Sequence, residues 1–232
     1  MTASTQPTTE ARIPLNRERV LTAAVHLADR EGIDALTMRH LGQELGVEAM
    51  SLYNHIANKE DLLDGVVEML VAEINERVAS VPPVVDADDW KRAMRERILI
   101  ARSVLVSHSW APSVIESRTG MTPTLIGYYD ALLGLLLEGG FSYDLGHHAM
   151  HALGSRALGF TQELFAPDEG RSPTMTGESL RQMATTFPNI AGMMQVIAHD
   201  PAEDSLGWCD DQTEFIFGLD LLLNGLDTLR KE

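Results

Sequence analysis

Apolar residues along this chain recur at intervals of three and four, and no run of alternating apolar and polar residues lies between turn signals. The pattern predicts an all-α protein. Its first helix is expected over Arg17–Glu31, with Asn16 as the side-chain cap and Gly32 as the stop. Val20, Ala24, Leu27 and Ala28 form the apolar face, and Leu15 and Val20 can close as a hydrophobic staple. A second helix starts after the cap Thr37, with Leu36 and Leu41 as its staple, and ends at Leu45 before Gly46. A short third helix is expected from about Glu48 to His55. The fourth opens at Asn58, with Glu60 and Asp61 in a first turn where the helix dipole favours acid. Its apolar positions, Leu62 through Ile74, carry it towards Arg77.

Val81-Pro82-Pro83 breaks the pattern. A long helix follows from about Asp88 to Val106, then shorter segments around Trp110 to Ile115, and helices over about Thr122–Glu138 and Tyr143–Phe165. A polar Pro/Gly loop at Ala166–Gly177, a less regular stretch and a last helix over Asp210–Leu229 complete the expected order.

Thr37 to Ile56, TMRHLGQELGVEAMSLYNHI, has the requirements of a helix-turn-helix. Two helices that cross closely need a small residue at the crossing, and Gly42 supplies it. The turn needs a residue that tolerates left-handed backbone, and Gly46 supplies that. Leu41, Leu45, Val47 and Leu52 lock the pair, with Ile56 serving as the last apolar anchor. The outward residues of the third helix, Ala49, Met50, Ser51, Tyr53, Asn54 and His55, are small, hydrogen-bonding or aromatic, and none is acidic. Such side chains suit a DNA groove, where hydroxyls and amides reach base edges or phosphates. Arg39 and Lys59 flank them as phosphate or base contacts.

A net charge of −16 opposes nucleic-acid binding until its distribution is counted. Residues 1–60 hold six Lys/Arg and eight Asp/Glu, a balance of −2; the remaining 12 basic and 26 acidic residues give −14 to residues 61–232. The acid therefore lies away from the helix-turn-helix. With one cysteine, Cys209, no internal disulfide or cysteine-based metal cluster is expected, in keeping with a reducing cytoplasm. The Thr-rich first ten residues lack the basic and apolar regions of a secretory signal, and the apolar run Leu132–Leu137 is too short to span a bilayer. No P-loop, dinucleotide fingerprint or nucleophile elbow is present, so an enzyme is not expected.

The segment GIDALTMRHLGQELGVEAMSLYNHIANKEDLLDGV resembles the DNA-binding domain of the TetR (tetracycline-repressor) family, over about Arg17 to Leu70. The aromatic-x-His at the end of helix three and the Asn-Lys opening helix four resemble the tetracycline-repressor branch. Matched residue by residue, the resemblance implies DNA-facing positions at Thr37, Arg39, Ala49, Met50, Ser51, Tyr53, Asn54, His55 and Lys59. Ala49-Met50 departs from the Gln-Pro of that branch, which implies a different base preference. WAPSVIESRTGMTPTLIGYYDALLGLLLEGGFSYDLGHHAMHALGSRALGF is similar to the same branch's effector domain.

The Thr-rich N-terminus is expected to be a disordered arm over 1–15, and the resemblance implies a helix-turn-helix domain over 16–62 and an effector-binding and dimerisation domain over 63–232. Dimerisation would use the helix after Ser142 (Ala149, Ala152, Leu153, Ala157) and the last helix (Phe215, Phe217, Leu219, Leu222, Leu223, Leu226). Met94, Ile98, Trp110, Tyr128, Tyr129, Met150 and Phe160 are candidates to meet an effector, though each also suits an ordinary core. His147, His148 and His151 have the spacing of metal ligands on a helix but lack further partners, so surface or core histidines are expected and no metal or cofactor is assigned. The expected function is a cytoplasmic regulator, a repressor by default. It would bind a palindromic duplex operator as a homodimer and be released by a small-molecule effector. The alternative is a ligand-sensing or protein-interaction protein that keeps the fold without binding DNA.

Overall fold

The computed structural model describes residues 14–118, 120–159, 182, 184–197 and 211–231, and every regular element among them is helical. They form α1 (Arg17–Glu31), α2 (Met38–Leu45), α3 (Ala49–Leu52), α4 (Lys59–Val78), α5 (Trp90–Ser107), α6 (Ala111–Ser117), α7 (Pro123–Glu138), α8 (Tyr143–Gly159), α9 (Pro188–Ile197) and α10 (Asp211–Leu229). The chain divides into two compact units, one of residues 1–81 with 99–131 and the other of residues 82–98 with 132–232.

In the first unit the caps are those the sequence predicts. Asn16, Thr37 and Asn58 accept the backbone N–H of Arg19, His40 and Asp61, at 2.8, 3.2 and 2.9 Å, and so satisfy donors that a helix start leaves free. Gly32 and Gly46 have φ of +84° and +66°, the left-handed turn that favours glycine. After Gly46 the Val47 N–H returns to the Gly42 carbonyl at 2.9 Å, which closes the end of α2. Val20, Ala24, Leu27, Leu36, Leu41, Leu52, Ile56, Leu62 and Val66 are buried as one core, onto which α1, α2 and α4 pack. Leu45 and Val47 of the expected lock are only half-buried, and Ile56 takes the interior position.

The third helix is shorter than expected. Regular α-helix covers Ala49–Leu52, and Tyr53–His55 form a turn whose His55 and Ile56 N–H groups both reach the Leu52 carbonyl at 2.9 Å. Burial of Ile56 and the cap of α4 at Asn58 leave no length for a further regular turn.

In the second unit α5 begins with a 3-10 turn at Ala87–Asp89, capped by the Asp86 carboxylate. Trp90, fully buried, meets Phe141 edge-on at 4.6 Å between ring centroids. α8 and α10 pack antiparallel: Arg156 donates to the Glu214 carbonyl near one end, and Arg230 donates to the Gly139 carbonyl near the other. Arg230 also pairs with Asp88 and Asp227, and with Lys231 it holds the Asp227 carboxyl down at about 2. Pro188–Ile197 is a helix where the sequence pattern predicts less regular structure. The turn chemistry of Phe187-Pro188 starts that helix, with proline at its first position. The expected extension of α8 to Phe165 and the loop at 166–177 lie outside the described residues.

Most residues expected at a dimer seam fill the chain's own interior instead. Ala149, Leu153, Phe215, Leu219, Leu223 and Leu226 are buried, and Ala152, Ala157 and Leu222 are half-buried. One face of each helix is consumed by packing within the unit. Among the described residues, the large apolar side chains left exposed on α8 and α10 include Tyr143, Phe217, Leu221 and Leu229.

Candidate nucleic-acid interface

Helix α3 is presented by a contact that only glycine permits at its centre. A Cβ on Gly42 would lie 2.9 Å from the Val47 carbonyl and 3.2 Å from the Ala49 nitrogen, so α2 and the start of α3 touch backbone to backbone. Leu52 and Ile56 anchor the inner side of the segment, which turns Met50, Tyr53 and Asn54 outward; Met50 is 75% and Tyr53 46% exposed. Ala49, Ser51 and His55 are half-buried beside them. Thr37 and Arg39 stand exposed at the start of α2 and Lys59 at the start of α4, although the Thr37 oxygen also serves as the cap of α2.

The end of the segment is tied down by a group that no sequence motif singles out. Arg17 of α1 donates to both carboxylate oxygens of Asp61 at 3.1 and 2.8 Å, and to the His55 carbonyl at 3.1 Å. Asp61 also accepts the Ala57 N–H at 2.7 Å. The hydrogen bond from Arg17, with its charge, holds the Asp61 carboxyl below the usual carboxylate range. Asn58 followed three residues later by an acid is a legible capping signal; its arginine, 44 residues from Asp61, is not.

Several cations of this unit are consumed by neighbouring acids. Arg17 is paired with Asp61, Arg30 with Glu31 and Glu44, Arg77 with Glu73, and Arg118 with Glu60 and Asp64. Arg39 and Lys59 have no ion pair or side-chain hydrogen bond among the described residues. These two uncommitted charges flank α3. An open groove of about 650 Å³ beside the α2–α3 turn, lined by Leu15, Arg19, Gln43, Val47, Glu48 and Ser51, lies next to this surface.

The expected effector contacts are distributed over both units. Met94 and Ile98 are buried on successive turns of α5, and Met150 is half-buried on α8. Trp110 is buried in the first unit with its indole N–H donated to Asp29 at 2.7 Å. Tyr128 and Tyr129 are neighbours on α7 with ring centroids 5.8 Å apart, and burial pushes the Tyr129 phenol up. Phe160 lies outside the described residues. His147, His148 and His151 are exposed on α8, and no group of three or more His, Cys, Asp or Glu that could hold a metal ion occurs among the described residues. Nor, among them, is any single helix long and apolar enough to cross a membrane.

A three-helix head that offers a glycine-crossed hairpin, an acid-free reading segment and two free cations defines a DNA-binding transcription regulator. Residues 20–66 match the family described as bacterial regulatory proteins, tetR family, and residues 82–230 match the tetracyclin repressor-like C-terminal domain. The chain belongs to the tetR family. It is 27% identical over 215 residues to the class D tetracycline repressor protein of Escherichia coli, covering 92% of this chain and 89% of that protein. Apo ActR of Streptomyces coelicolor superposes with a TM-score of 0.75 at 25% identity, covering 95% of this chain and 99% of ActR. ActR in complex with actinorhodin gives 0.71 at the same identity, over 95% and 100%.

Proposed function

We propose that this regulator is a repressor that binds a palindromic operator as a homodimer and leaves it when a small molecule binds the C-terminal domain. The observation that carries the DNA-facing assignment is the exposed, acid-free surface of α3 flanked by Arg39 and Lys59, two cations not consumed by neighbouring acids. In this reading Tyr53, Asn54, Ser51 and His55 meet bases or phosphates, Ala49 and Met50 set the closeness of approach, and Thr37, Arg39 and Lys59 hold the backbone. The head corresponds to residues 16–62, preceded by an arm at 1–15, and residues 63–232 sense the effector and dimerise.

Dimerisation is supported by the apolar side chains that α8 and α10 leave in solvent, among them Phe217 and Leu221 on successive turns of α10, 62% and 59% exposed. A twofold pair would present two α3 segments to successive major grooves about 34–36 Å apart. Effector release is supported by the complex that the related ActR forms with actinorhodin, and by a mechanical route in this chain. Arg118, just beyond α6, grips Glu60 at 2.6 Å and Asp64 at 3.4 Å in the first turns of α4, and α6 packs on α4. A shift of α6 would therefore pull α4 and the head with it, and two displaced heads no longer match the groove repeat. Operator must then weaken effector binding by the same factor. A protein seated at a promoter blocks polymerase, hence repression, and the reading places the protein in the cytoplasm with the DNA.

Selection of bound duplexes from a random pool tests the proposal. A palindrome whose affinity falls steeply with salt supports it; a folded, ligand-free dimer that enriches no site refutes it in favour of a sensor that keeps the fold without reading DNA.

A further inference from the structure

Asp29 stands in the last turn of α1, the end where the helix dipole disfavours acid. Its carboxylate is nevertheless the meeting point of two donors from the elbow between α5 and α6. Trp110 Nε1–H reaches Oδ1 at 2.7 Å, and His108 Nδ1 reaches the same oxygen at 2.7 Å. Because a carboxylate oxygen only accepts, Nδ1 carries the proton. The contacts span 79 and 81 residues of sequence. Trp110 is buried, His108 side-chain exposure is 13%, and the two rings lie 5.8 Å apart, so the donors are held in place by packing.

The other face of His108 looks towards α4. Its Nε2 is 3.8 Å from Glu73, whose carboxylate is held at 2.5 Å by Arg77, and Arg77 reaches Ser103 of α5 at 3.4 Å. The elbow therefore grips the head's α1 directly, in addition to the α6–α4 contact through Arg118. One attachment lets a body swing about it; a second, on a different helix, removes that rotation.

We infer that Asp29 is a positioning residue: held by Trp110 and His108, it fixes the angle at which α1, and α3 with it, is presented, and so sets the half-site separation the protein accepts. This rests on the dimeric operator reading above. A residue that contributed only to stability would lower the active fraction equally for every DNA. A positioning residue changes the ratio between DNAs that differ only in spacing.

The test uses the full chain with the selected operator, with versions carrying one base pair more or less between half-sites, and with one half-site base substitution. One base pair rotates the second half-site by about 35°, so wild type should prefer the native spacing by at least about tenfold. In Asp29→Ala the spacing preference should shrink to about threefold or less, while discrimination against the base substitution is kept. Asp29→Asn, which retains an acceptor oxygen, should keep more of the preference than Asp29→Ala. An unchanged spacing ratio in folded Asp29→Ala overturns the inference. If that variant does not fold, the combined His108→Gln and Trp110→Phe variant removes the donors from the other side and is judged by the same ratio. Failure of wild type itself to enrich a palindrome refutes the operator reading, and this inference falls with it; that outcome is read without any variant.

Discussion

Two glycines four residues apart separate the geometry of the reading head from its stability. A methyl on Gly42 would sit 2.9 Å from the Val47 carbonyl oxygen, 3.2 Å from Ala49 N and 3.3 Å from Ala49 Cα. All three are backbone atoms and cannot rotate aside. Ordinary carbon contacts need roughly 0.5 Å more, so Gly42→Ala must push α3 away from α2. Overpacking of this kind costs about 1–3 kcal/mol. Alanine recovers up to about 1 kcal/mol of helix propensity. The net loss is about 1–2 kcal/mol, a fall in Tm of about 2–8 °C for a chain of this size. Gly46→Ala meets nothing within 4 Å, but its φ of +66° puts the new side chain in left-handed backbone. That costs about 1–2 kcal/mol as well. Melting alone therefore does not distinguish the two variants, and operator binding does. Measured by fluorescence anisotropy and corrected for active fraction, Gly46→Ala should bind within a few-fold of wild type. Gly42→Ala should lose about 10- to 100-fold, because displaced base contacts are worth about 1–3 kcal/mol each. Wild-type affinity in folded Gly42→Ala would refute the close-crossing argument, and equal losses in both would refute the separation of seat from turn.

The remaining predictions concern contacts and charge. Arg39→Ala and Tyr53→Ala should each reduce operator affinity by roughly 5- to 150-fold with the oligomeric state unchanged by analytical ultracentrifugation; wild-type binding contradicts the assigned contact. Lys59→Ala should flatten the slope of log affinity against log salt by about 1 and leave base preference intact, as read from titrations at several salt concentrations. Arg17 holds the Asp61 carboxyl below its unfolded value, so the unfolded chain binds that proton more readily. The stabilisation is thus complete above about pH 5 and is lost as pH falls through the lowered folded-state pKa. With the Arg17 side chain 42% exposed, the pair contributes on the order of 1 kcal/mol. Thermal melts of wild type and Asp61→Asn should differ at neutral pH and converge in acid; a constant gap would show that charge is not the cause.

What the sequence makes legible here is local. The caps Asn16, Thr37 and Asn58, and the stops Gly32 and Gly46, are where side-chain chemistry a few residues apart requires them. The outward set of α3 follows from the same short-range logic, since Leu52 and Ile56 can only face inward. Long-range pairing is not legible. Nothing near Arg17 in the sequence announces Asp61, and nothing near Asp29 announces His108 and Trp110, because those partners are chosen by how helices stack. For the same reason composition does not reveal which cations stay free. The seam on α8 and α10 is implied by the family resemblance, and apolar periodicity marks a buried stripe without saying which partner buries it. The helix at Pro188–Ile197 is hidden because Pro, Asn and Gly, weak helix formers, interrupt a short segment of ten residues.

The way the first unit uses its arginines also bears on how the protein finds one site in a chromosome. A reader covered in free lysine and arginine adheres to any duplex and lingers on irrelevant sequence. Here Arg17, Arg30, Arg77 and Arg118 are already partnered by acids, while a chain-wide charge of −16 repels stray polyanion. Contacts that demand the right bases then make up a larger share of the total attraction, and fewer copies are lost to the millions of competing positions a genome offers. On the proposed operator reading, a modest number of molecules per cell would suffice to keep that site filled.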